Sequence, residues 1–243
     1  FLNEIHLREP ITRVGTAQKV EASFEVPGWA TFGGKYRSVD RNFQTPTSVV
    51  SNQDNRLDSA YLNFTRLPFF PMNFTLQRTI TETANTSQTG ALSNLVTQLQ
   101  QGKVTNWSGT AQGNFSLGAL PRVNLGHTRN RIEYDLLTRL DDRRTYTGSL
   151  QYGVPLSSRF LPKTIDTNYT HSQYDVSFER LDVLRLPGNF NSSELGNTYG
   201  LRLSFVPWSG SSFNPTYNLS RVTEKRDDFT SAVEKHLKYP KSM

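Results

Sequence analysis

The sequence predicts an all-β fold, an antiparallel transmembrane β-barrel segment of about ten strands. Apolar and polar residues alternate along the chain, most clearly from Asn106 to Leu117. The polar positions carry Asn, Ser, Thr and Gln instead of the Lys and Glu typical of a soluble sheet. No run approaches the roughly 18 apolar residues that a transmembrane helix needs, so any membrane crossing would use strands. We expect the segment to belong to a larger barrel, because ten strands alone leave two unpaired edges.

The strongest alternation assigns two opposite faces to neighbouring strands. We predict that one face lines a water-filled lumen; its candidates are Asn106, Ser108, Thr110, Gln112, Asn114, Asn73, Thr75 and Gln77. The other face is expected to meet lipid or to form an aromatic girdle. Its candidates are Trp107, Phe115, Leu117, Phe74, Leu76, Tyr146, Tyr152, Leu201 and Phe205.

The composition supports an ordered chain with little continuous apolar surface. Of its 243 residues, 35% are hydrophobic and 12% are aromatic, and a disordered chain would contain few aromatic residues. The sequence contains no cysteine, which excludes disulfides and thiolate metal sites. We expect residues 1–243 to form a single β-barrel segment, and we expect this segment to be a fragment or a processed piece of a longer protein.

The first half of the chain contains two hairpins and two polar loops. Strands are predicted over 20–26 and 30–36, joined by Pro27 and Gly28, and again over 60–64 and 72–80. Residues 41–58 and 84–101 are predicted to be long polar loops. Within the second loop, Leu92, Leu95 and Leu99 have the spacing of a short amphipathic helix.

The second half continues the alternation. Strands are predicted over 104–117, 122–128, 132–140, 146–154, 164–170, 174–178, 199–205 and 213–219. For 132–140 a helical turn is the open alternative, because Leu136, Leu137 and Leu140 could face one side of it. The acidic pair Asp141 and Asp142 is expected to lie in a turn as solvated charges. Residues 222–243 form a strongly charged end, for which a loop, a helix and a truncated end all remain open.

Aromatic residues occur near the ends of the predicted strands, as in the interfacial girdles of membrane barrels. They are Trp29, Tyr36, Tyr61, Phe69, Phe70, Trp107, Tyr152, Phe160, Tyr169 and Trp208. The alternative is that they form the core of a soluble β-sandwich.

The sequence offers no catalytic, cofactor-binding or metal-binding motif. The histidines His6, His127, His171 and His236 are far apart and match no zinc-binding spacing. The net charge of +6 is distributed along the chain next to acidic residues, which is not the clustered basic patch of a nucleic-acid-binding protein. We therefore expect no enzyme activity, no cofactor and no nucleic-acid partner.

Three stretches resemble the SprA/Sov family, the outer-membrane translocon of the type IX secretion system in gliding and related Gram-negative bacteria. Residues 2–7 are similar to the recurring W-[FV]-[ND]-E-[LI]-R-[LV] segment of that family, although His6 replaces the usual Arg, and they lead into a strand pair that ends at 32–43. Residues 62–76 resemble the family's strand, Phe-Leu-Pro corner and following strand, and 159–163 repeat that corner. The third stretch runs from Glu133 to Tyr152.

The resemblance implies a location in the outer membrane of a Gram-negative bacterium and a role in passing secreted proteins through a barrel lumen. The implied partners are the lipid bilayer, the remainder of a larger barrel, plug or accessory secretion proteins, and the transported proteins. Three alternatives stay open from the residues themselves. They are a porin, receptor or lipopolysaccharide-handling barrel, a soluble extracellular β-sandwich or adhesin, and an outer-membrane hydrolase using His127 and His171.

Overall fold

The protein forms one antiparallel sheet. The structure, a computed structural model, describes residues 15–43, 53–65, 71–83, 102–118, 120–136, 139–155, 160–178, 191–228 and 231–238. These residues contain eleven strands. The strands are β1 (Ala17–Val26), β2 (Ala30–Val39), β3 (Gln53–Phe64), β4 (Met72–Thr83), β5 (Gly102–Phe115), β6 (Arg122–Tyr134), β7 (Arg139–Gly153), β8 (Thr164–Phe178), β9 (Asn191–Ser204), β10 (Thr216–Asp228) and β11 (Ser231–Lys238).

Each strand pairs with the strand that follows it in the sequence, so the sheet is a simple up-and-down meander. β1 and β11 are its edges and do not pair with each other in the described part of the chain, so the sheet there is open. The all-β, antiparallel prediction is confirmed, and the described residues contain no helix. None of them forms a helix long and apolar enough to cross a membrane.

The hairpin between β1 and β2 shows how the sequence sets the register. Residues 27–29 connect the two strands, and Gly28 has φ = 71°, a conformation that glycine adopts at little cost. The Trp29 amide donates to the Val26 carbonyl at 2.9 Å and closes the turn. Val26 then faces Ala30, and Phe24 faces and stacks on Phe32 with ring centroids 5.4 Å apart. The predicted hairpin is confirmed.

Many strand boundaries differ from the predictions by several residues, the strands predicted over 164–170 and 174–178 form the single strand β8, and four other predictions need correction. Residues 53–58 belong to β3 and not to a loop, and 132–140 contain the end of β6 and the start of β7 instead of one strand. Asp141 and Asp142 lie within β7, where they are buried, and not in a turn. The charged segment after 222 continues β10 to Asp228 and then forms β11. The predicted loop and helix of 84–101 lie outside the described residues.

The sheet is a single layer in the described part of the chain. Ala30 and Val176 are the buried hydrophobic side chains there, and none of the described side chains is fully buried. By contrast, Val20, Phe24, Leu76 and Leu125 are each more than half exposed, with Val20 at 64%. No described element covers either face of the sheet, because the extensive contacts are all between neighbouring strands.

A glycine beneath an aromatic ring provides a test of the β1–β2–β3 register. Gly33 faces Tyr61 on β3, and a Cβ at this position would lie 2.6 Å from the Ala22 carbonyl oxygen and 2.7 Å from the Tyr61 hydroxyl. We expect Gly33→Ala to lower the free energy of unfolding by about 1–3 kcal/mol, because the backbone has to move. Urea titration in detergent micelles, followed by tryptophan fluorescence, measures this change.

Gly109→Ala is the matched control, since its Cβ would meet the Leu76 Cδ1 at an ordinary 3.7 Å. This variant should keep or slightly raise the stability, because alanine restricts the unfolded chain more than glycine. Equal stability of the two variants would contradict the register around Gly33.

Candidate functional site: the two faces of the sheet

The strand registers divide the side chains of the sheet into two faces, since directly opposed residues in an antiparallel pair point to the same side. Thr75 faces Thr110 and Asn73 faces Gln112, which defines the polar face. Phe74 faces Ala111 and Leu62, which defines the apolar face. Following the registers from β1 to β10 assigns every described strand side chain to one of these faces.

The structure brings all eight predicted lumen-lining residues together on the polar face. Asn73, Thr75 and Gln77 on β4 lie directly opposite Gln112, Thr110 and Ser108 on β5, and Asn106 and Asn114 extend the same row of β5. The Thr75 and Thr110 hydroxyls are 2.5 Å apart, so one donates to the other. Farther along, the Asn124 amide donates to the Ser149 hydroxyl at 3.0 Å. Short polar side chains therefore cover this region.

Charged residues also occur on the polar face, toward both sides of this uncharged region. Lys19 pairs with Glu21 at 3.1 Å on β1, and Arg139 binds Asp141 on β7 with two hydrogen bonds of 2.7 and 2.8 Å. Arg143 lies over the Tyr174 ring, 5.0 Å from its centroid. The uncharged lining predicted from the sequence describes the polar face of β4 and β5. On strands to either side, such as β1 and β7, the same face also carries charged residues.

Seven of the nine predicted lipid-facing residues lie on the apolar face of the strands; they are Trp107, Phe115, Phe74, Leu76, Tyr146, Tyr152 and Leu201. Leu117 lies beyond the end of β5. Phe205 lies beyond β9 and forms an isolated bridge with Phe213. Every exposed large hydrophobic residue within the described strands belongs to the apolar face, except Tyr61. The alternation seen in the sequence thus corresponds to a real division of the sheet surface.

The apolar face is itself divided along the strands, a division that the alternation in the sequence does not show. One part, the apolar band, carries hydrophobic residues and glycine, with Thr167 as the exception. It consists of the apolar-face residues within 20–26, 30–34, 60–64, 72–76, 109–115, 123–125, 146–152, 165–169, 199–203 and 217–219. The band adjoins the connections 27–29, 65–71, 116–121, 154–163 and 205–215.

Toward the other strand ends the same face becomes charged and aromatic. This part, the charged collar, consists of Tyr36, Arg56, Asp58, Arg78, Trp107, Arg129, Arg131, Glu133, Asp142, Arg144, Gln173 and Asp175. Asp58 binds Arg78 Nε at 2.8 Å and Arg56 Nε at 3.2 Å. The Arg78 guanidinium lies over the Trp107 ring, 5.0 Å from its centroid. Cross-strand ion pairs and cation–π contacts therefore connect β3, β4 and β5.

A second part of the collar is centred on Asp142. Arg129 from β6 binds this carboxylate bidentately at 3.0 and 2.8 Å, and Arg144 from the same strand as Asp142 binds it at 3.1 and 2.6 Å. The Asp142 side chain is only 8% exposed, whereas those of Arg129 and Arg144 are 43% and 36% exposed. Arg131 lies directly opposite Asp142 and pairs with Glu133 at 2.8 Å. Two guanidinium groups thus bind one buried carboxylate, and the neighbouring Arg131 is paired with Glu133.

The boundary between band and collar runs obliquely across the strands. It lies between Asp58 and Ala60 on β3, but between Asn197 and Tyr199 on β9. Successive opposed residues lead from Asp58 on β3 to Ser193 on β9, whereas the residue next to the band on β9 is Asn197. The boundary is therefore displaced along the strands by four residues. A layer boundary that is oblique to the hydrogen-bonding direction requires strands that are tilted relative to that layer.

The predicted girdle aromatics separate into groups. Tyr36 and Trp107 belong to the collar, whereas Trp29, Phe160 and Trp208 are exposed in the connections at the opposite end. Tyr152 and Tyr169 lie within the band. Tyr61 lies on the polar face, which contradicts its assignment to a girdle, and it covers Gly33 there. Phe69 and Phe70 lie outside the described residues.

The contact between Arg78 and Trp107 gives a spectroscopic test of the collar. In a Trp29→Phe, Trp208→Phe background, Trp107 is the remaining tryptophan of the sequence. We expect Arg78→Ala to increase acrylamide quenching of Trp107, because the ring loses its covering cation, and to cost about 0.5–1 kcal/mol of stability or more, because Asp58 also loses an ion-pair partner. Arg143→Ala is the control, since Arg143 stacks on Tyr174 of the other face. Equal effects of the two substitutions would contradict this arrangement.

The described residues contain no group of three or more His, Cys, Asp or Glu side chains that could hold a metal ion. His127 stacks on Tyr146 on the apolar face with a centroid distance of 4.4 Å, and His171 lies tilted to the same ring at 5.9 Å. Comparison with known proteins found no matching family model, curated protein or solved structure.

Proposed function

We propose that this chain forms part of the wall of an outer-membrane β-barrel that exports proteins, with the polar face lining the lumen and the apolar band facing hydrocarbon. One observation carries the membrane assignment. Hydrophobic side chains of the band, such as Val20, Phe24 and Leu76, are more than half exposed, while the backbone beneath them is paired between neighbouring strands. A bilayer accepts such a surface, because the hydrogen bonds between strands satisfy the backbone. In water, by contrast, contiguous apolar patches on monomeric proteins rarely exceed a few hundred Å².

The dimensions of the band suit a bilayer. On β5 it extends to Phe115, and including the adjoining Trp107 it covers nine residues, or roughly 30 Å along the strand. A strand tilt of about 40° reduces this to roughly 23 Å, close to the apolar belt of about 25 Å on outer-membrane barrels. Trp107 at one limit and Trp29 and Trp208 beyond the other then correspond to the two interfaces.

The open edges support a larger barrel. An edge strand in hydrocarbon leaves unpaired backbone groups, each of which costs several kcal/mol. Closure of the eleven described strands on themselves would place β1 beside β11. In a meander with an odd number of strands these two run in the same direction, whereas bacterial barrels are normally even-numbered and antiparallel. Further strands are therefore the simpler way to satisfy both edges.

The lining supports the passage of polypeptides. Around β4 and β5 the polar face presents hydroxyl and amide groups, such as Thr75, Thr110 and Gln112, which hydrate a moving chain without holding it by charge or apolar contact. The resemblance of 2–7, 62–76 and 133–152 to the SprA/Sov translocon family points to the same role. A porin or receptor barrel shares this wall architecture and differs in what crosses the lumen. A soluble sandwich is the less favoured alternative, because it requires a second layer over the apolar band.

We also propose that the collar end faces the cell exterior. Outer-membrane barrels have short periplasmic turns and longer extracellular loops. The connections at the collar end are 40–52, 84–101, 135–138, 179–190 and 229–230, and those at the band end are 27–29, 65–71, 116–121, 154–163 and 205–215, so the three longest lie at the collar end. The strands also continue past the band as the collar, which extends the sheet beyond the hydrocarbon on that side.

Single cysteines test the membrane assignment, because these 243 residues contain no cysteine. We expect Thr75→Cys and Gln77→Cys to react with a water-soluble maleimide in intact membranes, and Phe74→Cys and Leu76→Cys to be protected. A fluorophore attached to the latter two after unfolding and reconstitution should be quenched by brominated acyl chains. Protection without quenching would indicate a protein layer over the band and would refute the membrane assignment.

Photo-crosslinking distinguishes a barrel that exports proteins from a porin through which small solutes diffuse. A photoreactive residue at Thr75, Thr110 or Asn168, all on the polar face, should capture secreted proteins in cells that are actively exporting them. The same residue at Leu76 should capture none, because that position faces lipid. If the polar-face positions capture no protein while small solutes permeate reconstituted vesicles, the porin alternative is correct.

A further inference from the structure

The collar carries more positive charge than its own carboxylates neutralise. It contains five arginines and four carboxylates, which leaves a surplus of one positive charge; these residues are Arg56, Arg78, Arg129, Arg131, Arg144, Asp58, Glu133, Asp142 and Asp175. Each guanidinium has five N–H donors, and a bidentate pair with a carboxylate uses two of them. The Arg129 and Arg131 side chains are 43% and 42% exposed, so donors remain available to an anion from outside.

A groove on the apolar face leads from these arginines into the apolar band. Its upper part, about 390 Å³, is lined by Trp107, Leu76, Gly109, Arg129 and Arg131, together with Glu133. Leu76, Gly109 and Arg129 also line a second cavity of about 430 Å³, which continues beside Leu62, Phe74 and Ala111. The two cavities therefore form one groove, with cationic groups at its collar end and hydrophobic side chains along the rest.

We propose that this groove binds a lipid with a phosphorylated headgroup, its phosphate on Arg129 and Arg131 and an acyl chain beside Leu76 and Phe74. This inference rests on the proposed membrane function, because it requires the apolar band to face lipid. Arginine binds phosphate with charge-assisted, often bidentate hydrogen bonds. The surplus of cations supplies the charge complementarity, and the apolar continuation of the groove selects an amphiphile over a soluble anion.

The position of Arg129 and Arg131 relative to the band agrees with such a ligand. Arg129 lies one apolar-face position from His127 and two from Leu125, which belongs to the band. A guanidinium directly above the hydrocarbon boundary meets lipid phosphates at their own depth. Trp107, on the opposite wall of the groove, has an indole ring of the kind that collects at this level of a membrane.

Lipid retention by the full protein tests the proposal. The protein is purified in detergent, stripped of lipid and mixed with diphosphorylated lipid A or with its dephosphorylated form, and native mass spectrometry counts the bound molecules. We expect the wild type to retain the diphosphorylated form preferentially. Arg129→Gln combined with Arg131→Gln should weaken retention by at least about tenfold, since hydrogen bonds to charged groups are lost. The corresponding Lys variants should show an intermediate loss.

Arg143→Gln is the matched control, because it removes an arginine from the polar face of the adjacent strand pair. Unchanged retention in the Arg129, Arg131 double variant, or equal retention of dephosphorylated lipid A, would overturn the proposal. Displacement of the lipid by millimolar inorganic phosphate alone would show a phosphate site without lipid specificity and would also overturn it.

Cysteine labelling separates this inference from the proposed function. A fluorophore is attached to Leu76→Cys in the double variant and in the otherwise wild-type protein. If brominated lipids quench its fluorescence equally in both, the double variant has folded and the band faces lipid. Unchanged lipid A retention then rejects the lipid site alone. If the fluorophore on Leu76→Cys is not quenched in the otherwise wild-type protein, the membrane assignment is wrong, and the proposed lipid site is wrong with it.

Discussion

The structure depends on hydrogen bonding between neighbouring strands, which satisfies the backbone without any help from a second layer. Each described strand between the edges is paired on both sides. The sheet needs no covering element to protect its peptide groups, so its side chains can face two different environments. This is the arrangement that a hydrocarbon solvent demands, because an unsatisfied amide there costs several kcal/mol. The register is set instead by the turns, such as the one at Gly28, and by the division of the side chains into two faces.

The two faces of the sheet are stabilised by different side-chain interactions. Small hydroxyl and amide groups dominate the centre of the polar face, where Thr75 and Thr110 satisfy each other. The apolar face combines a hydrophobic region with a charged one. Asp142 holds Arg129 and Arg144 together across two strands, and Arg78 links Asp58 to the ring of Trp107. Such pairs add rigidity where the strands emerge from the apolar layer, and they leave cationic donors exposed.

The sequence was sufficient to predict strands and faces wherever one face is apolar. The alternation from Asn106 to Phe115 gave the correct faces, and the hairpin at Gly28 was correct as well. The errors at 53–58, Asp141–Asp142 and 222–228 share one cause. All three segments are strand ends that carry polar or charged residues on both faces, so no alternation of hydropathy marks them. At 132–140 the alternation happens to continue across the turn at 135–136, which hid the change of strand. The collar could not be predicted, because cross-strand registers create it.

The number of strands has a consequence for whatever is joined to this segment. β1 starts at the collar end, where β10 and β11 also meet, and β11 finishes at the end that holds Gly28 and Trp208. In the membrane arrangement that we propose, the described strands begin on one side of the bilayer and end on the other. With an odd number of strands, the first and last described strands would therefore be approached from opposite sides of that bilayer.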